Sequence, residues 1–130
     1  MLVSRIFLLF IALGLGFVGL NYLIEPNLLL SRYDLSVADA DMDNMLRSAY
    51  GGIFLAAAAY ILLGAIRTDR THDAVGLVCL LMAGAALGRL VSIAALGPAH
   101  PMINALLAFE IVAVMIGGVL YFRRRPAGTV

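Results

Sequence analysis

The chain has 130 residues, of which 63% are hydrophobic and only 13% are charged, and its net charge is +1. A soluble domain carries about 25% charged residues, so this composition favours a membrane protein of one domain. The small net charge excludes a nucleic-acid-binding protein, which needs a clustered basic face.

Four apolar segments of 18 or more residues lie at residues 6–24, 49–66, 74–96 and 102–122. A helix needs about 20 residues to cross the ~30 Å hydrocarbon core of a bilayer. Helices are favoured because lipid offers no hydrogen-bond partners to an open backbone. Short polar turns between the later segments make consecutive helices antiparallel neighbours. The sequence therefore predicts an all-α, integral membrane, up-down four-helix bundle that occupies residues 1–130 as a single domain.

The distribution of arginine predicts the orientation of this bundle. Six arginines flank the spans on one side, whereas the opposite side carries only Arg32 and Arg47. The six are Arg5, Arg67, Arg70, Arg123, Arg124 and Arg125. Positively charged loops stay in the cytoplasm, so both termini are expected there. We expect a multi-pass protein of a bacterial inner (cytoplasmic) membrane.

Residues 25–48 form the long outer loop of the predicted bundle. Pro26 is expected to end the first helix. Three aspartates, Asp39, Asp41 and Asp43, are expected to begin the second helix, where carboxylates suit the free N–H groups and the helix dipole. The run lacks the glycine and the closing glutamate of a calcium-binding loop, so we expect no metal site.

Two further helix starts can be predicted from capping residues. Thr71 or Asp73 is expected to cap the third helix, and Pro101 is expected at the first position of the fourth.

Two opposite charges are predicted at nearly one depth in the bilayer. Glu110 lies about 13 Å inside the outer end of the fourth span, and Arg89 lies about 11 Å inside the outer end of the third. A lone ionised side chain at the bilayer centre costs about 2.5–3.5 kcal/mol on insertion scales, so such groups usually face a partner or a cavity. We therefore expect Arg89 and Glu110 to interact inside the bundle.

Other polar side chains are predicted to approach this pair from the outer end. Glu25 and Arg47 would cap a four-charge cluster whose net charge is zero, as a low dielectric requires. The candidate ligand-binding residues are Arg89, Glu110, Arg47, Glu25, Tyr50, Ser92 and Asn21. The cluster is either a polar clamp that fixes the helix register or a site open to the outer face. A guanidinium suits a carboxylate, phosphate or quinone-like oxygen.

A stripe of small residues along the third span predicts close helix packing. It contains Gly76, Gly84, Gly88 and Ser92, and the Gly84-x-x-x-Gly88 spacing allows close backbone approach. The stripe packs either within the bundle or against a second copy in a homodimer.

Three short strings carry a family resemblance. They are Arg47-Ser48-Ala49-Tyr50-Gly51-Gly52, Leu87-Gly88-Arg89-Leu90-Val91-Ser92 and Phe109-Glu110. With them, most of the chain resembles the bacterial family called domain of unknown function 4345, and Pro26 after the first span also fits. The resemblance implies a small four-span membrane protein and no particular reaction.

A more distant likeness to DoxX-like four-helix membrane proteins implies thiol and quinone redox chemistry for some members. Dithiol chemistry is disfavoured because Cys79 is the only cysteine.

Three classes of function compete. The first is a binding or accessory protein that holds a lipid, a quinone or another amphiphile, or docks on a larger membrane complex. The second is a small proton-coupled transporter or exporter with Glu110 as the proton carrier. An arginine at that depth would hold Glu110 ionised, which argues against proton cycling. The third, an enzyme, is disfavoured because the sequence shows no nucleophile–base pair, metal cluster or nucleotide loop. We therefore expect no catalytic residue and no cofactor, and we favour the first class.

Overall fold

The computed structural model describes residues 2–123. In that range, four helical segments are long and apolar enough to cross a bilayer. They are Leu2–Ile24, Ala40–Ile66, Thr68–Leu96 and Pro101–Phe122. The predicted all-α, four-helix membrane bundle is confirmed. We call the end that carries residues 25–39 and 97–100 the loop end, and the opposite end the terminal end.

Six α-helices follow one another along the described residues. They are α1 (Leu2–Ile24), α2 (Asn27–Leu30), α3 (Ala40–Leu46), α4 (Ile53–Ile66), α5 (Thr71–Leu96) and α6 (Pro101–Phe122). Short 3-10 helices cover Ser31–Tyr33 and Thr68–Arg70. A π-helical segment, Arg47–Gly52, joins α3 to α4, so the second span is one continuous helical rod.

The first two spans end and begin where local chemistry requires. Helix α1 ends at Ile24, ahead of Pro26, as predicted. Asp39 caps α3 because its Oδ1 accepts a hydrogen bond of 2.8 Å from the backbone N–H of Met42. This cap starts the second helical rod nine residues before the predicted start at residue 49. The outer loop is correspondingly shorter than the predicted 25–48, because the aspartate run begins the helix rather than preceding it.

The start of the third span differs from the prediction. The residue before α5 is Arg70, and no side chain caps the helix. Thr71 instead donates its hydroxyl hydrogen to the carbonyl oxygens of Gly64 at 2.9 Å and Arg67 at 3.2 Å. The hydroxyl thus ties the start of α5 to the end of α4. Pro101 occupies the first turn of α6 as predicted.

The helices pack as two pairs, α1 with α4 and α5 with α6, which meet through α4 and α5. The most deeply buried apolar side chains of the spans are Leu8, Ile61, Val75 and Val78, all in the half nearest the terminal end. Toward the loop end, large side chains of α5 such as Leu87 and Val91 are exposed. The large buried side chains of the spans therefore concentrate in the terminal-end half of the bundle.

Close helix approach depends on a few glycines. A Cβ at Gly64 would overlap the Cβ of Ala74, and a Cβ at Gly51 would lie 3.2 Å from the backbone of Leu23. On the predicted stripe of α5, Gly76 packs against Tyr121, whereas Gly84 and Gly88 have open space around them. Only the terminal-end part of that stripe therefore packs within the bundle.

Candidate functional site

The site centres on an ion pair between α5 and α6. The Nε of Arg89 donates to both carboxylate oxygens of Glu110, at 2.9 Å to Oε1 and 3.0 Å to Oε2. The Glu110 side chain is 7% exposed and that of Arg89 is 30% exposed. The predicted contact between these two residues is present.

Helix α6 buries Glu110 on a face that also carries small residues. Ala113 and Gly117 lie three and seven residues further along, and both are buried. These small residues let α6 approach α5 closely, as is common between helices in membranes. The carboxylate therefore lies at the loop-end limit of the buried face of α6. It depends on Arg89 for charge compensation. Removal of one member of a buried pair leaves an uncompensated charge, whereas removal of both does not.

The guanidinium of Arg89 is only partly used by this pair. Both hydrogen bonds to Glu110 come from Nε. Among residues 2–123, the two terminal nitrogens of Arg89 have no hydrogen-bond acceptor. A guanidinium carries five N–H donors, of which four are on the terminal nitrogens. Arg89 therefore presents a planar, partly exposed set of donors that no described residue uses.

Aromatic side chains of the other helix pair form a cluster, and one of them, Tyr22, lies near this guanidinium. The rings of Tyr22 and Tyr50 have centroids 5.3 Å apart, and Tyr50 lies 5.4 Å from Phe54. Tyr22 is within electrostatic range of Arg89 and of Tyr33. Within the described range, the hydroxyls of Tyr22 and Tyr50 make no hydrogen bond. The site thus combines unpaired donors of α5 with an aromatic wall on α1 and the second rod.

Arg47 belongs to a different arrangement from the predicted one. Its Nη1 donates to the carbonyl oxygens of Leu23 and Ile24, the latter at 2.9 Å, and its Nε pairs with Asp43 at 2.7 Å. The last carbonyls of a helix have no partner inside the helix, and a cation suits that end of the dipole. The guanidinium of Arg47 is therefore engaged at the end of α1.

Glu25 also lies outside the central pair. Its Oε1 accepts hydrogen bonds from the backbone and side-chain nitrogens of Asn27, at 3.3 and 3.2 Å. Glu25 and Arg47 thus have their hydrogen-bond partners around the end of α1, and the predicted four-charge cluster with Arg89 and Glu110 stays a prediction. Within residues 2–123, the direct hydrogen-bond partner of Glu110 is Arg89.

Of the remaining predicted site residues, Tyr50 lies in the aromatic cluster, whereas Asn21 and Ser92 do not. Tyr50 joins the aromatic wall beside Tyr22. Asn21 donates its side-chain N–H to the carbonyl oxygen of Phe17 at 2.7 Å, so it is bonded along its own helix. Ser92 is exposed on α5, one turn beyond Arg89.

Sequence reasoning missed two local features near the site. Asp43 is the partner of Arg47, and its i,i+4 spacing on one helix could have indicated the pair. The π-helical segment Arg47–Gly52 was not predicted. Such segments occur frequently at functional sites, and this one contains Gly51, whose backbone lies against Leu23 of α1. No pattern of apolar residues signals a π-helical turn.

The outer loop reaches across the loop end of the bundle. The backbone N–H of Val37 donates to Asn27 Oδ1 at 2.9 Å, which closes the loop on itself. His100, in the turn between α5 and α6, has its Nε2 3.7 Å from Asp34 and its ring edge-on to Tyr33. The loop therefore extends from the end of α1 to the turn that follows α5. It lies on the loop-end side of the ion pair between Arg89 and Glu110.

Comparison with known proteins identifies the family. The model for the domain of unknown function DUF4345 matches residues 3–121, which include Arg89, Glu110 and the aromatic wall. Neither a curated protein nor a solved structure matches the chain. The four candidate spans indicate a multi-pass membrane protein. The chain therefore belongs to the DUF4345 family.

Proposed function

We propose that this protein binds a membrane amphiphile in the loop-end half of the bundle, through the terminal nitrogens of Arg89. The single observation that carries the proposal is the unused part of that guanidinium. Glu110 accepts only from Nε, and no other described residue accepts from the remaining donors.

The chemistry of the site indicates the class of ligand. A planar pair of terminal nitrogens suits a carboxylate, a phosphate or a quinone-like carbonyl oxygen. The rings of Tyr22, Tyr50 and Phe54 supply an apolar wall for the body of the molecule. Exposed apolar side chains of α5 in the same half lie where the hydrocarbon of the leaflet would be. A polar head at Arg89 with a chain along these surfaces satisfies both features.

The geometry of Glu110 disfavours the proton-coupled transporter. Both of its carboxylate oxygens face the same N–H of Arg89 at about 3 Å. A proton carrier at Glu110 would have to break both of these hydrogen bonds in each cycle. The binding function needs no such separation.

The experiment that tests the proposal compares bound molecules in two proteins. Wild type and the double variant Arg89→Met/Glu110→Met are extracted from the same membranes in mild detergent and measured by native mass spectrometry. Because the double variant leaves no unpaired charge, it should fold. We expect wild type to carry a defined amphiphile and the double variant to lose at least about 90% of it, which corresponds to about 1.4 kcal/mol of binding free energy. Equal retention by a folded double variant would contradict the proposal.

We also propose that the terminal end of the bundle lies in the cytoplasm and the loop end outside it. Arg5, Arg67 and Arg70 lie at the terminal end, which supports this orientation through the excess of positive charge on cytoplasmic loops. Reporters fused after residue 130 and inserted within residues 34–41 should report opposite sides of the membrane. A C-terminal reporter active only on the outer side would overturn the orientation.

A further inference from the structure

A groove at the terminal end of the bundle is separate from the Arg89 site. It runs along α5, between Tyr60 of α4 and Tyr121 of α6, and has a volume of about 470 Å³. Its lining residues are Tyr60, Asp73, Gly76, Leu77, Leu80 and Tyr121. The four lining residues of α5 have spacings of three, one and three, which place them on one helix face.

The wall formed by Tyr121 is held in place by two contacts. The His72 and Tyr121 rings have centroids 4.1 Å apart and are tilted by 30°, so they stack. A Cβ at Gly76 would lie 3.2 Å from Cε2 of Tyr121, so the glycine gives the ring its position against α5. The groove is therefore a formed feature of the packing between α5 and α6.

Polarity changes along the groove in the direction of the bilayer normal. Asp73 lies at the start of α5, and Tyr121 is one residue from the end of α6. Leu80 lies seven residues beyond Asp73, which is about 10 Å deeper. The open groove thus carries a charged residue at its terminal-end edge and mainly apolar residues along the rest of its length.

Two charged residues near the start of α5, Asp73 and Arg70, have hydrogen-bonding groups that no other described residue uses. Across residues 2–123, the carboxylate of Asp73 makes no hydrogen bond or ion pair. Arg70 stands three residues earlier, on nearly the same face, and is 51% exposed. Its Nε is 3.7 Å from Asp69, and its terminal nitrogens have no acceptor in the described part of the chain. Asp73 therefore lines the groove with a carboxylate that no residue of the range 2–123 uses, and Arg70 precedes it by three residues, outside the lining.

We propose that this groove binds a zwitterionic phospholipid with a primary ammonium head group. The ammonium donates to Asp73 beside the ring of Tyr121, a ring that also favours a cation. The phosphate accepts from Arg70. One acyl chain lies along Gly76, Leu77 and Leu80, with Tyr60 as its far wall. A headgroup without a cation forms no ion pair with Asp73, and a trimethylammonium group has no N–H to donate.

The test uses delipidated wild-type protein in detergent and native mass spectrometry. Phosphatidylethanolamine, phosphatidylcholine and phosphatidylglycerol with identical acyl chains are added in turn. We expect wild type to retain phosphatidylethanolamine about tenfold more strongly than either of the other two, the ratio that corresponds to one charge-assisted contact. Similar retention of all three lipids by wild type would overturn the proposal.

Two variants assign the preference to Asp73. Asp73→Asn should abolish the preference, whereas Asp41→Asn should keep it, because Asp41 has the same charge but lies at the loop end, away from the groove. Persistence of the preference in Asp73→Asn overturns the proposal. The double variant Arg89→Met/Glu110→Met should also keep the preference, so failure of this site and failure of the Arg89 site give different results.

Discussion

Replacement of Arg89 by methionine should lower the free energy of unfolding by about 3–5 kcal/mol, because Glu110 would remain buried without its partner. The carboxylate side chain is only 7% exposed, and among residues 2–123 both of its oxygens accept from Arg89 alone. Methionine keeps an unbranched side chain of similar length, so the loss reports the charge rather than the packing. Unfolding in detergent, followed by circular dichroism, measures the difference.

Two further variants serve as controls for the stability loss expected of Arg89→Met. The double variant Arg89→Met/Glu110→Met should recover most of the lost stability, because no unpaired charge is then left in the bundle. Arg32→Met removes an exposed arginine of the outer loop and should change stability by less than about 0.5 kcal/mol. A double variant as unstable as Arg89→Met would show that the ion pair itself holds the helices together.

The second large effect is expected at Gly64, where α4 and α5 are in closest contact. Gly64→Leu should lower the free energy of unfolding by about 3 kcal/mol, at the upper end of the usual cost of overpacking. A Cβ there would overlap that of Ala74 and lie 3.2 Å from the carbonyl oxygen of Arg70. The backbone cannot move away easily, because the carbonyl oxygen of Gly64 accepts from Thr71 at 2.9 Å.

The matched control for this substitution is Gly14→Leu. Gly14 lies within α1, and a Cβ there would meet nothing within 4 Å. The same change of residue should therefore leave stability nearly unaltered in detergent. Equal losses for the two variants would mean that the α4–α5 contact is less tight than the structure describes.

The sequence predicts the bundle and its central pair because both depend on properties that are local in the chain. Apolar length defines the four spans, and the position of a charge within its span defines its depth. Arg89 and Glu110 lie in consecutive antiparallel helices, so equal depth is nearly sufficient to bring them together. Their small-residue faces supply the remaining condition.

The sequence does not predict the partners of Arg47 and Glu25, because both side chains lie beside acceptors or donors created by the fold. The carbonyls of Leu23 and Ile24 become available only because α1 ends there, and Arg47 reaches them from another helix. Glu25 is drawn to Asn27 by the turn that Pro26 imposes. Depth arithmetic treats all four charges alike and ignores such competing partners.

The predicted cap of the second span is present, whereas the predicted cap of the third is not, because a side-chain oxygen near a helix start can have more than one partner. Asp39 acts as the cap expected of an aspartate before a helix, which lengthens the second rod. Thr71 has the right residue type for a cap, yet its hydroxyl donates to the preceding helix across the tight turn. The chain's local pattern does not distinguish these two uses of a side-chain oxygen.

The most direct test of the proposed function observes the guanidinium of Arg89 itself. All nine basic residues are arginine, so nitrogen-15 labelling of arginine gives a small set of NMR signals, and Arg89→Lys assigns those of Arg89 by their loss. Delipidation followed by restoration of the co-purified amphiphile should shift the terminal-nitrogen signals reversibly and leave the Nε signal in place, because Nε remains bonded to Glu110. Terminal-nitrogen signals that do not respond to removal of the bound molecules would contradict binding at Arg89.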